Sequence, residues 1–141
     1  MTREFSHDVF ISYSHQDKEW VRSILVPQLE KAGLIVFIDY RDFRLGAPLI
    51  TEMARAVEES GYTLSVLTPA YLDSNFTELE NILAEQLGLE KSQRRLLAIK
   101  RKKCTPRLSI RARLWLDMTD DNEFQENITR LINELRLPAT E

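Results

Sequence analysis

Cys104 is the one cysteine in 141 residues, so no internal disulfide can form. A chain that makes no use of disulfides is expected in a reducing, cytoplasmic compartment. No apolar run approaches the ~20 residues a helix needs to cross a bilayer. The first ten residues carry charge where a signal peptide needs an apolar stretch, so no signal peptide is expected; an anchor outside this chain stays open. Neither GxGxxG nor GxxxxGK[ST] occurs, which removes the usual phosphate cradles at helix N-termini. No Cys/His spacing points to a metal. What remains is an ordinary soluble composition, 43% hydrophobic and 29% charged, sized for a single domain over 1–141.

Acidic residues are also missing from one stretch. Lys91 to Arg113 holds ten of the 19 Lys and Arg and no Asp or Glu, although the whole chain carries 22 acidic residues and a net charge of −3. This segment is either a solvated edge or an electrostatic surface for another copy's acidic face or a polyanion. Nucleic acid is the less expected partner, because the segment has no interleaved aromatics for base stacking.

The rest of the chain is organised around Asp8 to Ser14, DVFISYS. Val9-Phe10-Ile11 is a short run of β-branched and aromatic residues, the pattern of a strand buried on both faces. It ends in a polar loop, Ser12 to Asp17, with Asp17 as a helix N-cap candidate. Trp20, Ile24, Leu25 and Leu29 then recur at helical spacing up to Gly33, and Pro27 should kink that helix or loosen one turn of it. Further strands are expected at Leu34 to Asp39, Thr63 to Leu67, Arg95 to Ile99 and Leu114 to Met118. Helices are expected at Leu49 to Ser60, stopped by Gly61, at Phe76 to Leu89, and at Asp120 to Leu135. Tyr40 to Pro48 reads as a long loop, and Thr105 to Arg113 as a poorly patterned connector. Five strands alternating with helices predict an α/β, doubly wound parallel sheet. Such sheets bind ligands beyond the carboxyl ends of their strands, which places Tyr13 to Asp17 on the floor of any site.

Other doubly wound proteins fit less well. A phospho-acceptor receiver needs clustered Asp after strand one and an acceptor Asp after strand three, where this chain has Ser12-Tyr13-Ser14 and Thr68-Pro69. A flavodoxin needs a small-residue phosphate loop, and Tyr13-Ser14-His15-Gln16 is too bulky.

The motifs resemble those of the Toll/interleukin-receptor (TIR) domain over nearly the whole chain. Asp8 to Ser14 is similar to the family's first box, Arg41-Asp42 with Gly46 to its second, and Leu114-Trp115 to its third. The second box departs in having Leu45-Gly46 where Pro-Gly is usual. The resemblance implies a flavodoxin-like five-stranded parallel sheet in the order 2-1-3-4-5. It also implies one of two functions. Some members cleave NAD at the nicotinamide–ribose bond with a glutamate on the third helix, as substrate and without a further cofactor. That activity, in a defence or cell-death signalling pathway, is the function expected here; the alternative is a non-enzymatic module, as other members are, that signals by homotypic assembly. Family enzymes usually act as assemblies in which the loop after strand two completes a neighbour's site.

In the Ser-x-Trp-(Cys)-x-x-Glu pattern of the enzymes, Ser74, Phe76, Thr77 and Glu80 occupy the matching positions, with Phe for Trp and Thr for Cys. Helical geometry bears on Glu80 separately. At ~100° per residue, Phe76, Leu79, Leu83 and Leu87 share one face, Glu80 lies on its edge, and Glu78 and Glu85 point to water. A carboxylate at an apolar face asks for a reason; the competing reason is an ion pair with a nearby Arg. The chemistry suits Glu80. Nicotinamide leaves as a neutral molecule and needs no acid, while positive charge develops on the ribose. A carboxylate can stabilise that charge, grip the ribose hydroxyls and orient a nucleophile. Glu80 also stands in the second helical turn, where the dipole favours negative charge. Tyr13 and Ser14 are candidates for the nicotinamide pocket, Tyr13 with a structural ring as its alternative. Phe43 and Arg44 are candidates to stack on a base and to contact phosphate, or else form a protein-binding loop tip.

Overall fold

In a computed structural model, residues 5–74, 76–88, 95–105 and 115–138 are described, with the side chains of Ser74, Phe76 and Thr77 outside that description. Five parallel strands form one sheet in the order β2-β1-β3-β4-β5. They are β1 (His7–Ser12), β2 (Val36–Phe37), β3 (Ser60–Leu67), β4 (Leu96–Lys100) and β5 (Leu116–Asp117). β1 is central, registering Val9 and Phe10 with Val36 and Phe37 on one side and with Tyr62 and Thr63 on the other.

Helices cover both faces, which is why the strands read as unbroken apolar runs. Side chains alternate along each strand. Val9, Ile11, Leu64 and Val66 pack against α1 (residues 18–31) and α6 (Phe124–Leu135), through Val21, Leu25, Leu29, Ile128 and Leu131. Phe10, Phe37 and Ala98 face the other way, onto Met53, Ala56 and Val57 of α3 (Leu49–Glu59), Tyr71 of α4 (Pro69–Ser74) and Leu79, Ile82 and Leu83 of α5 (Phe76–Leu87).

Pro27 has the expected local effect. The helix makes a π turn over Val21–Leu25 immediately before the proline, with Val26 N–H donating to Val21 O. Lacking an N–H, Pro27 cannot take the α-helical bond to Ser23 O, and the wider turn absorbs the mismatch. Gly33, at φ +91°, ends α1 as expected.

Four expectations are corrected. The second strand is only Val36–Phe37, because the chain turns at Asp39 into the short helix α2 (Asp39–Asp42), whose Asp42 carboxylate accepts Ile38 N–H at 2.9 Å. Part of the expected loop after strand two is therefore helical. Gly61 does not stop α3, because it lies inside β3, which starts at Ser60 directly after the helix. The carbonyls at that junction are taken by buried Arg95, which donates to Gly61 O at 2.9 Å, Ser60 O at 2.6 Å and Val57 O at 3.3 Å. Finally, Pro69–Ser74 is a helix where no element was expected. Thr68 Oγ1 accepts Tyr71 N–H at 3.2 Å and Pro69 takes the first helical position, an N-terminal signature that Thr68-Pro69 already carried. Expected features at Leu89, from Lys91 to Arg94, from Pro106 to Arg113 and at Leu114 lie outside the described residues, as does Asn75.

Candidate functional site

The loops after β1, β3 and β4 converge at the carboxyl edge of the sheet, and α4 and α5 follow directly from β3. Tyr71 sits under this edge, fully buried, its hydroxyl 2.9 Å from Ser12 Oγ and 3.1 Å from Ser65 Oγ. Burial pushes its phenol well above the ordinary value, and the negative charge of Glu80 adds to the rise. Glu80 therefore lies within electrostatic reach of the hydroxyl that seals the end of β1. On α5, Leu79, Ile82 and Leu83 are buried, Glu80 is half-buried, and Glu78 and Glu85 are exposed. The helical phase expected from the sequence is the phase observed. Phe76 opens α5, but its side chain lies outside the described residues.

The loop after β1 is occupied with its own structure. Tyr13 is buried, donates from its hydroxyl to Asp39 Oδ1 at 2.6 Å, and accepts from Arg22 Nε at 2.9 Å. Burial first, and the Asp39 bond second, raise its pKa far above the ordinary value. The hydroxyl is thus engaged as donor and as acceptor. Ser14 is buried and caps the 3-10 turn His15–Asp17, its Oγ accepting Gln16 N–H at 3.2 Å. Asp17, expected as a helix cap, makes no side-chain cap bond. It is buried instead between Thr68 and Lys102.

In the loop after β2 the two candidates part company. The Phe43 ring packs against Phe10 and Phe37, with centroids 6.1 and 6.0 Å away. The ring is half-buried and packs against the core, so stacking on a base could use only the part that stays exposed. Arg44 is exposed, and its backbone N–H donates to Glu52 Oε1 at 2.8 Å. Buried Glu52 also accepts from Arg55 at 2.8 Å, and Arg55 reaches Asp42 O at 2.9 Å. Arg55 holds the Glu52 carboxyl below its ordinary range. The base of the loop is clamped while its tip, Leu45, is fully exposed.

The basic stretch is not one open surface. Arg95 is internal, Arg101 pairs with Asp121 at 2.6 Å and lies over Trp20, and Lys102 pairs with Asp17 at 3.0 Å. Lys91, Arg94, Arg107, Arg111 and Arg113 lie outside the described residues. A cavity of about 260 Å³ opens between β4, β5 and α6, lined by Leu97, Trp115, Leu116, Arg130, Leu131 and Glu134. It lies on the α6 side of the sheet, away from α5, and does not serve Glu80. Among the described residues, no three of His, Cys, Asp and Glu are placed to share a metal ion, and no helix is long and apolar enough to cross a membrane.

The family model of the TIR domain matches residues 9–132. The chain belongs to the TIR-domain family. It is 29% identical over 99 residues to human Toll-like receptor 6, covering 70% of this chain and 12% of the receptor. It is 30% identical over 101 residues to the Drosophila melanogaster protein toll, covering 70% of this chain and 9% of that protein. This TIR domain thus spans 9% to 18% of the length of curated relatives it matches. Among solved structures, the TIR domain of the Toll-related receptor TRR-2 from Hydra magnipapillata superposes with a TM-score of 0.80 at 26% identity, covering 93% of this chain and 99% of that one. A metazoan TIR-STING receptor from C. gigas shares the fold, with a TM-score of 0.80 at 21% identity over 98% of this chain and 42% of that one.

Proposed function

We propose that this TIR domain cleaves NAD at the nicotinamide–ribose bond, with Glu80 as the reacting carboxylate. One observation supports the reading: of the acidic residues along the described part of α5, Glu80 alone is half-buried and its charge bears on the Tyr71 hydroxyl, while Glu78 and Glu85 are exposed. The carboxyl edge of the sheet, under which Tyr71 sits, is where sheets of this kind bind ligands. In the reaction, the C–N bond breaks with its electron pair going to nicotinamide, which leaves neutral. The ribosyl cation left behind faces the Glu80 carboxylate, and water or a hydroxyl of the substrate forms the new C–O bond and releases its proton to solvent. Arg44, exposed on the loop after β2, is the candidate phosphate contact. Tyr13 and Ser14 shape the floor by fixing the loop after β1 and are not assigned a bond to substrate. The reading is tested by nicotinamide release from NAD at high protein concentration.

A second reading has its own support. Leu45, Leu49 and Ile50 are all exposed within six residues of the chain. Grouped apolar side chains of this kind mark protein-binding surfaces. They favour a signalling module that assembles with other TIR domains, as a receptor module if the likeness to Toll receptors extends to function. Both readings can hold if assembly brings the site into use. Absence of nicotinamide release from assembled protein leaves assembly alone.

A further inference from the structure

Asp17 is 4% exposed, yet no step above uses its carboxylate. Thr68 Oγ1 donates to Asp17 Oδ2 at 2.7 Å, and Lys102 Nζ stands 3.0 Å from Oδ1. The three residues come from the loops after β1, β3 and β4. Lys102 is set in place by its surroundings. Arg101 N–H and Lys102 N–H both donate to Leu67 O, at 3.0 and 3.4 Å, and the Arg101 guanidinium lies 4.6 Å from the Trp20 ring centre.

The directions of these bonds are fixed by chemistry. An ammonium only donates and a carboxylate only accepts. The Thr68 proton is therefore committed to Asp17, which leaves the Thr68 lone pairs for Tyr71 N–H at 3.2 Å. That bond pins the first turn of α4, the helix that carries the Tyr71 hydroxyl to Ser12 and Ser65 and leads into α5 with Glu80. An ion pair whose lysine is 59% exposed adds little net stability, so stability is not what the pair supplies.

We propose that Asp17 is a positioning residue of the site: held by Lys102, its carboxylate orients Thr68 and so sets α4 and the start of α5, with Glu80, against the end of β1. The effect on rate rests on the NAD-cleaving reading; the hold on α4 does not.

Asp17→Asn keeps the shape but gives one acceptor and one donor group. Turning its oxygen to Lys102 faces its NH2 toward Thr68, and the reverse faces its NH2 toward the ammonium, so a donor is stranded either way. Two readouts test the proposal. Hydrogen exchange at Tyr71 N–H should accelerate at least about tenfold in Asp17→Asn, with Ile128 N–H in α6 unchanged. Nicotinamide release should lose roughly 10²-fold in kcat, the scale of a small misplacement, with KM for NAD kept within about twofold. Thr68→Val should behave like Asp17→Asn, and Thr68→Ser should restore both readouts. If Asp17→Asn does not fold, Lys102→Met at the exposed end of the pair carries the same expectations. Unchanged exchange at Tyr71 overturns the proposal, and so does an unchanged kcat in an active protein. If the wild type releases no nicotinamide, the NAD-cleaving reading falls and the Tyr71 exchange rate still decides the hold on α4.

Discussion

Tyr13 joins three elements through one oxygen. Its hydroxyl bonds Asp39 at the start of α2 and Arg22 in α1, while the ring belongs to the core beneath β1. Tyr13→Phe keeps the ring and strands both partners, so it should cost about 1 kcal/mol, read as a lower urea midpoint with an unchanged slope. Nicotinamide release per folded molecule should stay near wild type. A normal midpoint with a lost rate would instead place the hydroxyl on the substrate. The half-buried position of Glu80 was legible at this scale because α5 obeys a 3.6-residue period, and a period fixes which side chains share a face. Phe43 and Arg95 were not legible. Whether a loop aromatic turns inward, or an Arg takes carbonyls distant in the chain, is decided by tertiary partners that no local pattern names. The Asp17 carboxylate was hidden for the same reason, since its partners stand 51 and 85 positions away.

The loop after β2 is clamped through Glu52, which accepts both Arg44 N–H and the Arg55 guanidinium. The Glu52 carboxyl is held below its ordinary value by Arg55 first and by the Arg44 amide second. A depressed carboxyl contributes stability that is complete above its unfolded value, near 4.5, and is lost as pH falls through the lower folded value. Wild type should therefore exceed Glu52→Gln in urea midpoint at neutral pH, and the gap should close as pH drops below that range. A gap that is constant with pH would remove the charge from the account. The same clamp makes Arg44 a test of the loop's surface, because its backbone is held whatever its side chain. Arg44→Ala should reduce NAD cleavage with the melting temperature nearly unchanged, and a large fall in melting temperature would make the side chain structural. Most element boundaries were readable from Gly, Pro and apolar spacing, including the loosened turn before Pro27. Thr68-Pro69 carried a helix start that went unread because the helix it opens is only six residues long, too short to show a period. The α3–β3 junction could not be read, because a distant arginine rather than Gly61 settles it.

For the whole molecule, the sheet order followed from the family resemblance, while the alternation of strands and helices alone left several doubly wound proteins open. Charge complementarity between the basic stretch and the acidic remainder led to an expectation of weak, salt-sensitive self-association, and Arg101 and Lys102 turn out to spend their charge within the chain. The exposed Leu45, Leu49 and Ile50 add an apolar surface at the tip of the loop after β2. Sedimentation across a wide concentration range should show mass rising with concentration and falling with salt, and Leu45→Asp should weaken association further. A mass that ignores concentration, salt and Leu45→Asp would leave the domain without homotypic assembly. The central claim is that Glu80 carries the cleavage of NAD, and the most direct measurement is nicotinamide release at high protein concentration by wild type, Glu80→Gln and Glu78→Gln side by side. Glu80→Gln keeps the size and removes the charge, so the rate should fall on the order of 10²-fold or more with the fold intact. Glu78→Gln, exposed two residues away, should match wild type. An active wild type whose rate survives Glu80→Gln would contradict the assignment.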